Sequence, residues 1–243
     1  MRFVIIQFLV LITFLPTLSH GKSFQQWCEG EDIGIEARKT VTHLLSEAGE
    51  TDCKKAEAIL RKRRWMVLPH RGIRDLNPIS SLTQITRLSL YGNRISDLSP
   101  LSALHNLESL DITSNQVEDL TPVLGLTDLR KLSANHNPLN SIKGLASLRR
   151  LEVLDLSNCR LWDASELIGL ERLMYLNLSR NFIREVAPLA ELKELRVLNL
   201  ARNHIRTIDD LGTLSQLTRL SLQNNPLKVK QCPLKPFHIC RFE

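Results

Sequence analysis

The amino-acid sequence predicts an α/β fold of one particular kind. It is a right-handed solenoid of short coils, with a parallel sheet on its concave face, short 3₁₀ or helical turns on its convex face and an N-terminal α-helical cap. Three observations predict it. First, apolar residues recur with a period of 22 and no insertion, so that Ile85, Leu107, Leu129, Leu151, Leu173, Leu195 and Leu217 each open a unit. Second, each unit contains one short stretch of strict apolar–polar alternation, the period of a single strand with one buried face. Third, 43% of the 243 residues are apolar but only 5% are aromatic, so the interior must be built from leucine in a thin, repeated layer.

The order along the chain follows from these units. Met1-Arg2, an apolar run from Phe3 to Leu15, Pro16 and the small residues up to Gly21 read as an export signal over residues 1–21. The run stops too early for a membrane span, which needs about 20 apolar residues, and no later stretch is long enough. Residues 22–62 read as a helical cap. Ile35, Ala37, Val41, Leu44, Leu45 and Ala48 fall mainly on one helical face that ends at Gly49, and Asp52 is placed to cap a second helix through Leu60. That second helix is expected to carry its Lys and Arg at the C-terminal end, as the helix dipole favours. A degenerate unit over 63–84 keeps Met66, Leu68, Ile73, Leu76, Ile79 and Leu82 in phase, regular units fill 85–227, and residues 228–243 close the stack as a C-terminal cap.

Five cysteines punctuate this order. In an oxidising compartment the simplest pairing joins Cys28 to Cys53 and Cys232 to Cys240, one bridge in each cap. His238 lies between the last two, but four ligands at a recognised metal spacing are missing, so no metal or cofactor is expected. Cys159 is left over. It occupies the ninth position of its unit, where the other units have Asn93, Asn115, Asn137, Asn181, Asn203 and Asn225. At that point the chain turns off the strand and its backbone groups lose their sheet partners. An inward amide supplies both a donor and an acceptor, so a column of asparagines can satisfy them. Cys159 is expected to be a buried free thiol in that column.

The return side of each coil is also legible. Asn77-Pro78, Ser99-Pro100 and Thr121-Pro122 place a polar side chain, expected to act as the cap, before a proline whose missing N–H costs nothing at the start of a helical turn. The inner face of the turn is then filled by pairs such as Leu101 and Leu104, Leu145 and Leu148, or Leu189 and Leu192.

With these residues in view, the pattern L-x-x-L-x-L-x-x-N-x-I-x-D-L-x-P-L over about 63–227 resembles the bacterial internalin-like leucine-rich-repeat class with 22-residue units. The resemblance implies a helical cap before the repeats and a binding role. The chain departs from the surface members in lacking a Leu-Pro-x-Thr-Gly sorting signal and an immunoglobulin-like domain after the repeats. A secreted or periplasmic monomer, associated with a cell surface at most without a covalent anchor, is therefore expected.

Function is expected on the outward sheet face. Val153, Tyr175 and Val197 are consecutive in the third-position row, with Asp155 beside them in the fifth. Arg160, Arg180 and Arg202, with Phe182, His204 and Trp162, crowd the strand exits of the same coils, and aromatic residues beside arginine make good interface anchors. These residues are read as a site for a protein or anionic glycan. The alternative is an envelope protein, structural or inhibitory, that uses its cap or convex side. The net charge of +6 is too weak to imply nucleic acid, and the basic run Arg61–Arg64 is explained by the helix end it follows. A hydrolytic group of His136 with Asp155 and Ser114 or Ser157 is a chance grouping expected of any repeat rich in Ser and Asp. The units offer no deep pocket or oxyanion-hole turn, so no enzyme is expected.

Overall fold

The computed structural model describes residues 21–243; the export signal expected over 1–21 lies, apart from Gly21, outside them. Each 22-residue unit contributes one three-residue strand, because only its middle residue is held by the interior. The strands are β1 (Trp65–Val67), β2 (Arg87–Ser89), β3 (Ser109–Asp111), β4 (Lys131–Ser133), β5 (Val153–Asp155), β6 (Tyr175–Asn177), β7 (Val197–Asn199) and β8 (Arg219–Ser221). They pair in chain order, all parallel, in an unbroken register that sets Leu88 against Leu110, Leu110 against Leu132, and so on to Leu220. The central residue of every strand is buried, whereas its two neighbours are exposed or half-buried. Leu101, Leu104, Leu145, Leu148, Leu189 and Leu192 are all 0% exposed on the opposite wall. Each such leucine stabilises the stack by about 1.5–3 kcal/mol through burial. Strands pack about 4.8 Å apart, more tightly than helical turns, so the sheet takes the inner curve.

The asparagine column forms as expected. Asn181 illustrates a rung. Its Nδ2 donates to Leu156 O of the preceding coil and to Leu178 O of its own, both at 2.9 Å, while its Oδ1 accepts from the N–H groups of Cys159 and Leu161 at 3.0 Å. Asn93 repeats this bonding in full; Asn115, Asn137 and Asn203, also buried, make both donations but accept one N–H each, as does Asn225, which is half-buried at the end of the column. Cys159, 0% exposed, donates its thiol to Ala134 O at 3.2 Å. A thiol is a poor acceptor, and Leu139 N–H, the group an asparagine here would serve, turns to Asn137 O instead at 3.0 Å.

The capping of the return turns differs from expectation. The turns run, for example, over Ser99–Ala103, Thr121–Val123 and Ser165–Leu167 as 3₁₀ helices and over Asn77–Ser80 as α4, the fourth α-helix of the described residues. In these four turns the capping group is the aspartate two residues before the first residue. Asp75, Asp97 and Asp119 accept the N–H of Asn77, Ser99 and Thr121 at 2.8 Å, and Asp163 that of Ser165 at 3.0 Å. The polar residue before proline lies inside the turn, so its own N–H is the group that needs a partner, and an aspartate two residues back reaches it.

In the cap, three helices precede the coils: α1 (Phe24–Glu29), α2 (Ile35–Ala48) and α3 (Cys53–Leu60). The second and third have the bounds read from sequence, with Gly49 at φ 69° ending α2 and Asp52 accepting from Lys55 N–H at the start of α3. The first was not anticipated; a reciprocal Ser23–Gln26 capping box starts it, and Phe24 and Cys28 bury its inner side. The basic run lies beyond α3 rather than in its last turn. Arg61 reaches back to Glu57, and Arg63 to Glu47. Cys28 is joined to Cys53 and Cys232 to Cys240, each with Cα atoms 5.7 Å apart. A further element also escapes sequence reading: β9 (Cys240–Arg241) pairs with β8, Leu220 against Cys240, at a spacing of 20 rather than 22.

Candidate functional site

The residues singled out from sequence are divided by the structure between two surfaces. Val153, Tyr175 and Val197 are direct cross-strand neighbours on β5, β6 and β7, all half-buried, with Arg219 next in the row. Burial pushes the Tyr175 phenol above its ordinary value; the Asp155 carboxylate adds to this, and Arg219 opposes it. Asp155 itself closes a strand exit. Its Oδ1 accepts Ser157 N–H at 2.9 Å and its Oδ2 accepts from Asn177 Nδ2 at 3.1 Å. Asp111 does the same with Thr113 N–H and the Ser89 hydroxyl, both at 3.0 Å. The fifth-position carboxylates therefore have a structural use before any ligand arrives.

Arg180 and Arg202 are exposed where the strands end, each at φ 58°, and Arg160 is at φ 63°. A left-handed backbone is costly for a side chain without a local hydrogen bond, on the order of 1–2 kcal/mol. Phe182 is on a different surface from the tyrosine. Once the chain has turned inward at Asn181, the next residues leave the sheet and form the flank of the solenoid. There Trp162, Phe182 and His204 make a stacked row, with ring centroids 4.7 and 5.8 Å apart and interplanar angles of 29° and 10°. Phe182 lines a cleft of about 570 Å³ with Trp162, Arg184, His204 and Arg206, and Arg160 lines a neighbouring one of about 300 Å³ with Trp162 and Lys143. Val153, Asp155, Tyr175 and Val197 line neither cleft.

A second apolar group on the sheet face was not given weight in the sequence. Trp65 and Val67 on β1 are 61% and 48% exposed, and Tyr91 in the next coil packs edge-on against His70 with centroids 4.6 Å apart. The signal was present, since Trp65 and Val67 head the third- and fifth-position rows, but it lay in the unit whose pattern is most degenerate. His136 does not join Asp155 or a serine. Its Nδ1 bonds Asn135 Oδ1 at 3.0 Å, and its backbone takes the left-handed turn at φ 56°. Burial above all pushes the Cys159 thiol up to about 12, so it is not a nucleophile at neutral pH.

Comparison with known proteins places this geometry. A family model described as "Leucine Rich repeats (2 copies)" matches residues 83–125 and 127–169, and one described as "Leucine rich repeat" matches 171–227, together well over half of the chain. No curated protein sequence matches it. Among solved structures, the chain is similar to internalin C2 of Listeria monocytogenes, at 25% identity and TM-score 0.75, covering 82% of this chain and 88% of that one. It is similar to an internalin (inlF) of the same organism at 26% identity and TM-score 0.74, covering 86% of this chain and 61% of that one. A plant peptide hormone receptor in complex with RGF2 shares the fold, at 20% identity and TM-score 0.54, over 67% of this chain and 27% of that one.

Proposed function

Because this chain belongs to the leucine-rich-repeat family, in its internalin-like form, we propose that it is an exported binding protein that holds a protein ligand on the inner curve of its sheet, without turnover. The observation that carries this reading is the unbroken sheet face. The third and fifth positions of all eight coil strands are exposed or half-buried, so no element among the described residues covers them. On that face Tyr175, flanked by Val153 and Val197, supplies the apolar centre; Arg180 and Arg202 supply a cationic rim, and Asp155 a fixed negative charge. Two disulfides favour an oxidising compartment, and no helix of the described residues is long and apolar enough to cross a membrane. The disulfides support export, and the apolar run from Phe3 to Leu15 supports a mature chain that starts after Gly21.

The test is affinity capture from the native compartment with the wild-type protein, with Tyr175→Ala/Arg180→Ala, and with a convex-side variant, Glu171→Ala/Lys193→Ala. The sheet-face variant should lose the captured partner and the convex one should keep it. Equal recovery with the sheet-face variant refutes the placement. Loss with the convex variant alone favours the reading in which the outer side acts.

A further inference from the structure

The flank of the solenoid carries a second, separate feature. Three depressions follow one another along the stack where the chain leaves the sheet. The first, about 300 Å³, is divided by Trp162 from the second, about 570 Å³, which shares Arg206 with a third of about 420 Å³ beside the C-terminal cap. Together they make one groove running along the axis past several coils. The coils are locked in step here as they are in the sheet. Phe182 N–H donates to Leu161 O at 2.7 Å, His204 N–H to Ile183 O at 2.9 Å and Lys228 N–H to Arg206 O at 3.0 Å.

The groove is lined by Lys143, Arg160, Arg184, Arg206 and Lys228, about one cation per coil, all exposed. None of the five forms an ion pair among the described residues. Acids line it too. In the first depression Asp163 is held by the N–H and hydroxyl of Ser165 and Glu166 accepts Gly144 N–H at 3.1 Å, and Asp209 lines the third; the second, beside Trp162, sets Arg184 and Arg206 against Glu185 alone. Between the cations stands Trp162, 64% exposed, one ring face stacked on Phe182 and the other without an aromatic partner among the described residues. A flat apolar face beside unpaired guanidinium groups suits a ring that is apolar on one side and carries a carboxylate at its edge.

We propose that this groove binds a linear acidic polysaccharide, a chain of uronic-acid sugars laid along the solenoid axis with one sugar on Trp162. The exposed ring favours sugar over acidic peptide. The apolar face of a pyranose lies flat on an indole, whereas an acidic side chain offers no such face. The site is independent of the sheet face, and its occupancy does not require the protein-binding reading to hold.

The experiment is calorimetric titration of the whole mature protein with a galacturonate hexasaccharide and, separately, with oligoglutamate of equal charge. Trp162→Ala, which removes no charge, should weaken sugar binding about tenfold, and Arg184→Gln/Arg206→Gln by at least as much. Lys54→Gln/Lys55→Gln, an equal loss of charge on exposed residues of α3, and Tyr175→Ala should leave it within about twofold. The proposal is overturned if Trp162→Ala binds as the wild type does, if the α3 variant loses as much as the groove variant, or if no binding is detected. Tighter binding of oligoglutamate with the same dependence on Trp162 also overturns it, in favour of an acidic protein segment.

Discussion

Replacing Asn181 with alanine removes four short hydrogen bonds, and a long one to Ser179 O, at one buried point. The N–H groups of Cys159 and Leu161 lose their acceptor, and the carbonyls of Leu156 and Leu178 lose a donor. The site is 3% exposed, so water does not replace the amide freely. A buried donor left without a partner costs about 1–3 kcal/mol. Two such N–H groups give about 2–6 kcal/mol, and the rung at Cys159 shows how part of this is recovered, since Leu139 N–H there finds Asn137 O. The expected loss is about 3–5 kcal/mol, a large part of the about 5–15 kcal/mol that holds a typical domain together. Asn181→Cys should cost about half as much, because a thiol still donates to a carbonyl but does not serve the N–H groups. Asn225→Ala, at the half-buried end of the column with one N–H to serve, should cost about 1–2 kcal/mol. Guanidinium unfolding without reductant, followed by circular dichroism and by the fluorescence of Trp27, Trp65 and Trp162, measures all three. A cost below about 1 kcal/mol for Asn181→Ala, or one equal to that of Asn225→Ala, refutes the idea that the column holds the coils together by satisfying buried backbone.

Two further outcomes test other parts of the structure. Cys159, its thiol pushed up to about 12 by burial, should resist an aromatic disulfide reagent at pH 8 in the native protein and react stoichiometrically once it is unfolded; prompt native labelling would show that the coils open there. The carboxyls of Asp119 and Asp163 are lowered from 3.8, chiefly by the Thr121 and Ser165 side chains respectively. A lowered folded value means that their contribution is present above about pH 4 and is lost as the pH falls through that lowered value, so Asp119→Asn/Asp163→Asn should flatten the acid limb of the stability profile between about pH 4 and 2. An unchanged slope would mean that the turn carboxylates do not respond to protonation.

Much of the architecture was legible because a 22-residue period leaves little freedom. Leu88, Leu110 and Leu132 recur at one spacing, so their strands have one way to pair, and Asn93 through Asn225 mark the turn that follows. Where the period lapses, legibility lapses with it. The helix from Phe24 to Glu29 is too short for a periodic signal, and β9 pairs through a cap whose spacing no unit shares. The choice between Ser99 and Asp97 as cap rested on whether the turn begins at or after the polar residue, a difference of two residues that a pattern does not resolve.

The candidate surfaces divide in the same way. Alternation along a strand determined that Tyr175, Val153 and Val197 would share a face, since side chains of a pleated strand alternate by geometry alone. That Phe182 parts from them and stacks between Trp162 and His204 was decided only in three dimensions. Beyond Asn181 the backbone leaves the strand, its side-chain direction no longer follows a period of two, and residues from three successive coils converge on a flank that no single unit describes.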